Sequence, residues 1–66
     1  MQITVNGKPE PLSEGMTILD LLTALGVQTP LVAVEQNRSI IPKAKHAETI
    51  LHDGDEIEVV TLVGGG

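Results

Sequence analysis

Hydrophobic positions recur with a period of two at both ends of the chain and with a helical period between them. Ile3 and Val5 alternate with Gln2 and Thr4, the pattern of a strand with one buried face. Asn6-Gly7 follows, the dipeptide best suited to a type I′ turn, because both central residues there must accept positive φ. Lys8 to Leu12 returns as a second strand, and its Pro9 and Pro11 have no amide hydrogen to offer a neighbour, which puts it at a sheet edge. Beyond a loop at Ser13, Glu14 and Gly15, Thr17 and Asp20 have capping-box spacing. Ile18, Leu21, Leu22 and Leu25 then fall at i, i+3, i+4 and i+7, one stripe of a helix, which Gly26 ends as a C′ glycine. Leu31 to Glu35 and Ser39 to Ile41 read as two strands joined by a turn at Gln36-Asn37, with Pro42 stopping the second. Lys43 to Glu48 has no clear period and reads as an irregular connection with room for one helical turn. Thr49 to Leu51 precedes a turn at Asp53-Gly54-Asp55, and Glu56 to Val63 is the longest β-like run.

The resulting order, β-β-α-β-β-β, belongs to the α+β class. One helix with a four-residue apolar stripe can cover one face of a four- or five-stranded sheet, in which the terminal strand is long enough to lie centrally. The other face stays largely solvated, consistent with Glu56 and Glu58 alternating against Ile57 and Val59. Residues 1–63 form the folded domain on this reading, and residues 64–66 form a flexible glycine tail.

Composition narrows the chemistry. With 66 residues the chain makes a single domain that buries about 60% of the surface its unfolded form exposes. There is no Cys, Phe, Trp or Tyr, so the core is aliphatic and no thiol of this chain takes part in redox or sulfur chemistry. Without cysteines, a basic leader or a run approaching the roughly 20 apolar residues of a membrane span, the expected location is the cytoplasm, away from the membrane. A net charge of −5 opposes binding to nucleic acid, and Arg38, Lys43 and Lys45 lack the interleaved aromatics of a nucleic-acid patch. His46 and His52 lack the neighbouring ligands of a metal site. Asp53, Asp55, Glu56 and Glu58 flank a turn glycine or alternate along a strand, which reads as a solvated face rather than a calcium loop. The sequence offers no Ser-His-carboxylate triad and no glycine-rich loop opening a helix, so no cofactor is expected on this chain.

The remaining chemical signal is Gly64-Gly65-Gly66, placed directly after Thr61-Leu62-Val63. A helix stop, hairpin or bulge would need further chain beyond these glycines. Without Cβ atoms, they form a thin peptide that reaches about 3.3 to 3.6 Å per residue into a narrow channel. Ordering such a peptide costs about 1 to 2 kcal/mol per residue, so a partner must also grip the folded domain. A terminal carboxylate resists nucleophiles until it is converted to a mixed anhydride. Adenylation by ATP does this, and a sulfur nucleophile can then leave a thiocarboxylate. A carrier of this kind needs no catalytic side chain.

At this point the sequence resembles the ThiS sulfur carriers of thiamine biosynthesis. The likeness spans nearly the whole chain. It is closest in Val32-Ala33-Val34-Glu35-Gln36-Asn37, Ile40-Ile41-Pro42-Lys43, Leu51 to Val60 and Leu62-Val63-Gly64-Gly65-Gly66. The resemblance implies a ubiquitin-like β-grasp fold with a mixed sheet on one helix. It also implies a ThiF-like enzyme that uses ATP and magnesium to adenylate the carboxylate of Gly66, a cysteine desulfurase system that supplies sulfur, and a ThiG-like thiazole synthase that receives it. Gly65 and Gly66 correspond to the family's terminal diglycine. Gly64, Leu62, Val59 and Ile57 are the expected partner contacts, on an exposed sheet face beside the tail. Two relatives of this chemistry stay open as alternatives, the small subunit of molybdopterin synthase and a ubiquitin-like protein modifier. A plain binding module is a third.

Overall fold

The computed structural model describes residues 1–28 and 30–62. It contains strands β1 (Gln2–Val5), β2 (Lys8–Pro11), β3 (Val32–Gln36), β4 (Ser39–Ile41) and β5 (Glu56–Thr61), helix α1 (Ile18–Ala24) and a 3₁₀ turn at Lys43–Lys45. The strands form one sheet in the order β2-β1-β5-β3-β4. β1 and β5 run parallel, and the β1–β2, β3–β4 and β3–β5 pairs are antiparallel. The sheet is therefore mixed and five-stranded, β5 is its centre, and the proline-bearing β2 lies at an edge.

Local chemistry accounts for most of these boundaries. Asn6 and Gly7 have φ of 51° and 83°, the left-handed pair that the first hairpin requires. Thr17 caps α1 through a reciprocal box: the Asp20 amide donates to Thr17 Oγ1 at 3.1 Å, and the Thr17 amide donates to Asp20 Oδ2 at 3.0 Å. Such a cap contributes about 1 kcal/mol. Leu25 is the C-cap and Gly26, at φ 77°, follows it. The helix buries Ile18, Leu21 and Leu22 against Ile3, Val5, Val34 and Ile57 of the sheet, with Leu12 and Leu51 closing the sides.

Three expectations change. The helix ends at Ala24, one residue before Leu25, so Leu25 turns outward and stays 38% exposed instead of completing the apolar stripe. The third strand begins and ends one residue later than its apolar run suggests. Its turn is accordingly Asn37-Arg38, with φ of 51° and 71°, because Gln36 is held in the strand opposite Ser39 and Ile57. Thr49–Leu51 makes one isolated bridge, Ile50 with Thr17. Its donors go elsewhere, from the Thr49 amide to Lys45 O and from the Leu51 amide to Met16 O. Finally, β5 stops at Thr61, while Val63 and the expected boundary between domain and tail lie outside the described residues.

Candidate functional site

β5 carries the chain toward its C-terminal glycines, and it is fixed at both ends. At its start, Asp55 is buried and collects three donors. Gln36 Nε2 and the His52 amide reach Oδ2 at 2.8 Å each, and Asn37 Nδ2 reaches Oδ1 at 2.9 Å. Asn37 also accepts from the Glu56 amide through Oδ1 at 2.9 Å. Burial by itself pushes the Asp55 carboxyl up. The donors from Asn37, His52 and Gln36, with the nearby His52 charge, outweigh it and leave the pKa below the ordinary carboxylate value. Asp55 is thus a structural anchor, contrary to its expected place on a solvated face.

Further along, parallel pairing with β1 ends at Val5 and Ile57, and the side chain of Asn6 replaces the missing backbone. Its Oδ1 accepts from the Val59 amide at 2.8 Å and its Nδ2 donates to Val59 O at 3.1 Å. One turn residue thereby supplies both the left-handed conformation and two hydrogen bonds 53 residues away in sequence. Beyond β5, the Leu62 amide donates to Leu31 O at 2.7 Å. The exit point is therefore tied to β3's lead-in.

Of the expected partner contacts, Leu62 is 54% exposed. Ile57 is 1% exposed and part of the core, and Val59 is half-buried and packed on it. Neither lies on an open sheet face. Alternation along β5 turns them both toward α1, and Glu56, Glu58 and Val60 point to the opposite side of the strand. Gly64, Gly65 and Gly66 lie outside the described residues. The sequence reading also missed the Asn6 and Asp55 clamps. Asn-Gly and Asp-Gly signalled turns, but nothing local signalled what their side chains would reach.

A cleft of about 220 Å³ opens beside β5, lined by Thr4, Gly7, Arg38, Glu56, Ile57 and Glu58. It is smaller than the roughly 300 to 1,000 Å³ typical of small-molecule sites. Its one hydroxyl, on Thr4, makes no hydrogen bond to the carboxylate of Glu56 or Glu58, as a base-activated nucleophile would. His46 is buried, with Nε2 3.1 Å from Ile41 O. Among the described residues, no three His, Asp or Glu side chains are grouped to hold a metal ion, and no helix is long and apolar enough to cross a membrane.

The fold and the end of the chain toward which β5 leads are shared with known proteins. The sequence model of the ThiS family matches residues 3–66. The chain belongs to the ThiS family. A ThiS sulfur carrier protein from Thermus thermophilus is 39% identical over 64 residues, covering 97% of this chain and 98% of that one. The crystal structure of a thiamine biosynthesis protein (ThiS) from Geobacter metallireducens superposes with a TM-score of 0.84 at 38% identity, covering 100% of both chains. A thiazole synthase from Paramagnetospirillum magneticum is 42% identical over 66 residues, which is 100% of this chain and 20% of that protein. The chain thus spans about a fifth of that relative, and the ThiS-like region there belongs to a longer polypeptide. The ubiquitin-like architecture expected from the family resemblance is the one observed.

Proposed function

We infer that this chain is a sulfur carrier of thiamine biosynthesis, acting through the backbone carboxylate of Gly66 and not through a side chain. The observation that carries this reading is the family match, which runs through the final residue, together with whole-length similarity to a sulfur carrier protein. The chemistry fits the composition, because a chain without cysteine has no thiol of its own to hold sulfur, whereas a converted backbone carboxylate needs none. The Gly66 carboxylate oxygen attacks the α-phosphorus of ATP on a ThiF-like enzyme with magnesium, and pyrophosphate leaves. The terminal sulfur of a persulfide, supplied by a cysteine desulfurase system, then attacks the acyl carbon and AMP leaves. A thiol cleaves the sulfur–sulfur bond of the acyl disulfide, giving the thiocarboxylate and a new disulfide. A ThiG-like thiazole synthase takes the sulfur for its ring. Occurrence of a similar sequence within a thiazole synthase supports that partner. ATP and magnesium belong to the activating enzyme, and this chain is its protein co-substrate rather than an enzyme.

Intact-mass analysis tests the reading. Incubated with a ThiF-like enzyme, magnesium ATP and a persulfide source, the protein gains the difference between one sulfur and one oxygen. A variant with one residue appended after Gly66 gains nothing. Sulfur loading of the extended variant, or none of the wild type, would overturn the proposal.

A further inference from the structure

Asn6-Gly7 sets a carboxamide beside an amide nitrogen that no side chain shields. In this pairing a backbone nitrogen most readily closes a five-membered ring on the preceding carboxamide. The turn leaves room for that approach, since even a Cβ at Gly7 would meet nothing within 4 Å. Among the described residues, the Gly7 amide has no hydrogen-bond acceptor. What restrains the carboxamide is Val59: its amide donates to Asn6 Oδ1 at 2.8 Å, and Asn6 Nδ2 donates to its carbonyl at 3.1 Å. Asn6 is itself exposed, so its side chain can swing off Val59 without unburying Val5 or Ile57. Two comparable pairs in the chain are held more firmly. At Asp53-Gly54 the glycine nitrogen is occupied, donating to Gln2 O at 2.8 Å, while Asp53 Oδ1 accepts from the Gln2 amide at 2.7 Å. At Asn37-Arg38 the carboxamide is bonded at both ends, to Asp55 and to the Glu56 amide, and Arg38 carries a Cβ that crowds its nitrogen.

We propose that Asn6 is a self-modification site, gated by local opening of its clamp on Val59, and that modification permanently releases the end of β5. With the clamp open, the Gly7 nitrogen attacks Asn6 Cγ: the N–Cγ bond forms, the Cγ–Nδ2 bond breaks, and ammonia leaves with the Gly7 amide proton. Water then opens the succinimide. Addition at Cγ gives aspartate, and addition at the main-chain carbonyl of residue 6 gives isoaspartate, whose backbone runs through Cβ. Neither product rebuilds the clamp. Aspartate keeps an acceptor for the Val59 amide, but it has no donor for the Val59 carbonyl and sets an anionic oxygen against it. Isoaspartate adds a methylene to a two-residue turn whose length fixes the β1–β2 register. Because pairing of β5 with β1 ends at Ile57, Asn6 is the link from the first hairpin to the strand beyond that point. None of this chemistry depends on what Gly66 carries.

Ageing of the purified protein at mildly alkaline pH, followed by peptide mapping, tests this. In native buffer the peptide holding Asn6 gains the mass difference between an oxygen and an NH group, and the peptide holding Asn37 does not. In urea that unfolds the chain, Asn6 is modified about tenfold faster or more, which is the protection that two hydrogen bonds supply. Below the unfolding transition the rate stays flat with urea, because opening one exposed side chain uncovers little surface. The modified protein, separated by its added negative charge, unfolds at a lower urea concentration than unaged protein, and Asn6→Asp shifts the midpoint the same way. Equal rates in the native and unfolded chains would remove the clamp as the gate. A native rate that climbs with urea below the transition would put global unfolding in place of local opening and overturn the proposal. An unmodified Asn6 in the unfolded chain, or a modified protein with the midpoint of the unaged one, would overturn it too.

Discussion

Asp55 gains its weight in the fold from where its two oxygens point. The turn at residues 52–55 carries it inward, where Gln36, Asn37 and the His52 amide donate to it, so one carboxylate ties the β3–β4 hairpin to the start of β5. Its pKa is lowered in the folded state despite burial, and the sign of the pH dependence follows. Folding favours the ionised form, so the stabilisation is complete above the unfolded-state value of about 3.9 and is lost as pH falls below it through the lower folded value. Asp55→Asn replaces an acceptor oxygen by an amide that faces other donors, which costs about 1 to 3 kcal/mol. Urea unfolding at neutral pH should show that loss. The same series carried into acid should show a shallower decline for the variant than for the wild type, and equal slopes would mean that Asp55 is not the linked group.

At the scale of elements, the two hairpins differ in how well their turns are filled. The first uses Asn6-Gly7, and glycine takes its left-handed position without strain. The second places Arg38 at φ 71°, where a residue with a Cβ pays about 1 to 2 kcal/mol. Glycine there gives back part of the gain through its larger unfolded-state entropy. Arg38→Gly is therefore expected to stabilise the domain by about 0.5 to 1 kcal/mol, measured as a higher urea midpoint with an unchanged slope; a lower midpoint would mean that the guanidinium makes a contact worth more than the strain. This turn also shows what sequence reading reaches. Asn6-Gly7, the Thr17–Asp20 box and Gly26 act within a few residues, and each was legible. The β3–β4 turn was misplaced by one position because its register is set by Gln36, whose partner Asp55 lies 19 residues on. The backbone of Thr49–Leu51 is satisfied by Lys45 and Met16, which no local pattern announces.

Across the whole molecule, folding and the proposed chemistry occupy different parts of the chain. Every buried apolar side chain among the described residues lies between Ile3 and Ile57, whereas the proposed reactive group is nine residues beyond the last of them. Gly64-Gly65-Gly66 was singled out in the sequence and lies outside the described residues. The open face of β5 was misassigned in the sequence, since period two separates its faces without saying which one a helix will cover, and that choice is made by α1 packing on Ile57. Removal of Gly65 and Gly66 deletes none of the contacts found among the described residues. The shortened protein should unfold at the same temperature and urea concentration as the full chain, within the few tenths of a kcal/mol typical of surface changes. It should still compete with the full chain for the adenylating enzyme through its folded domain, yet accept no sulfur. A fall in stability would show that the end of the chain packs on the domain, and sulfur transfer to the shortened protein would place the reactive group elsewhere.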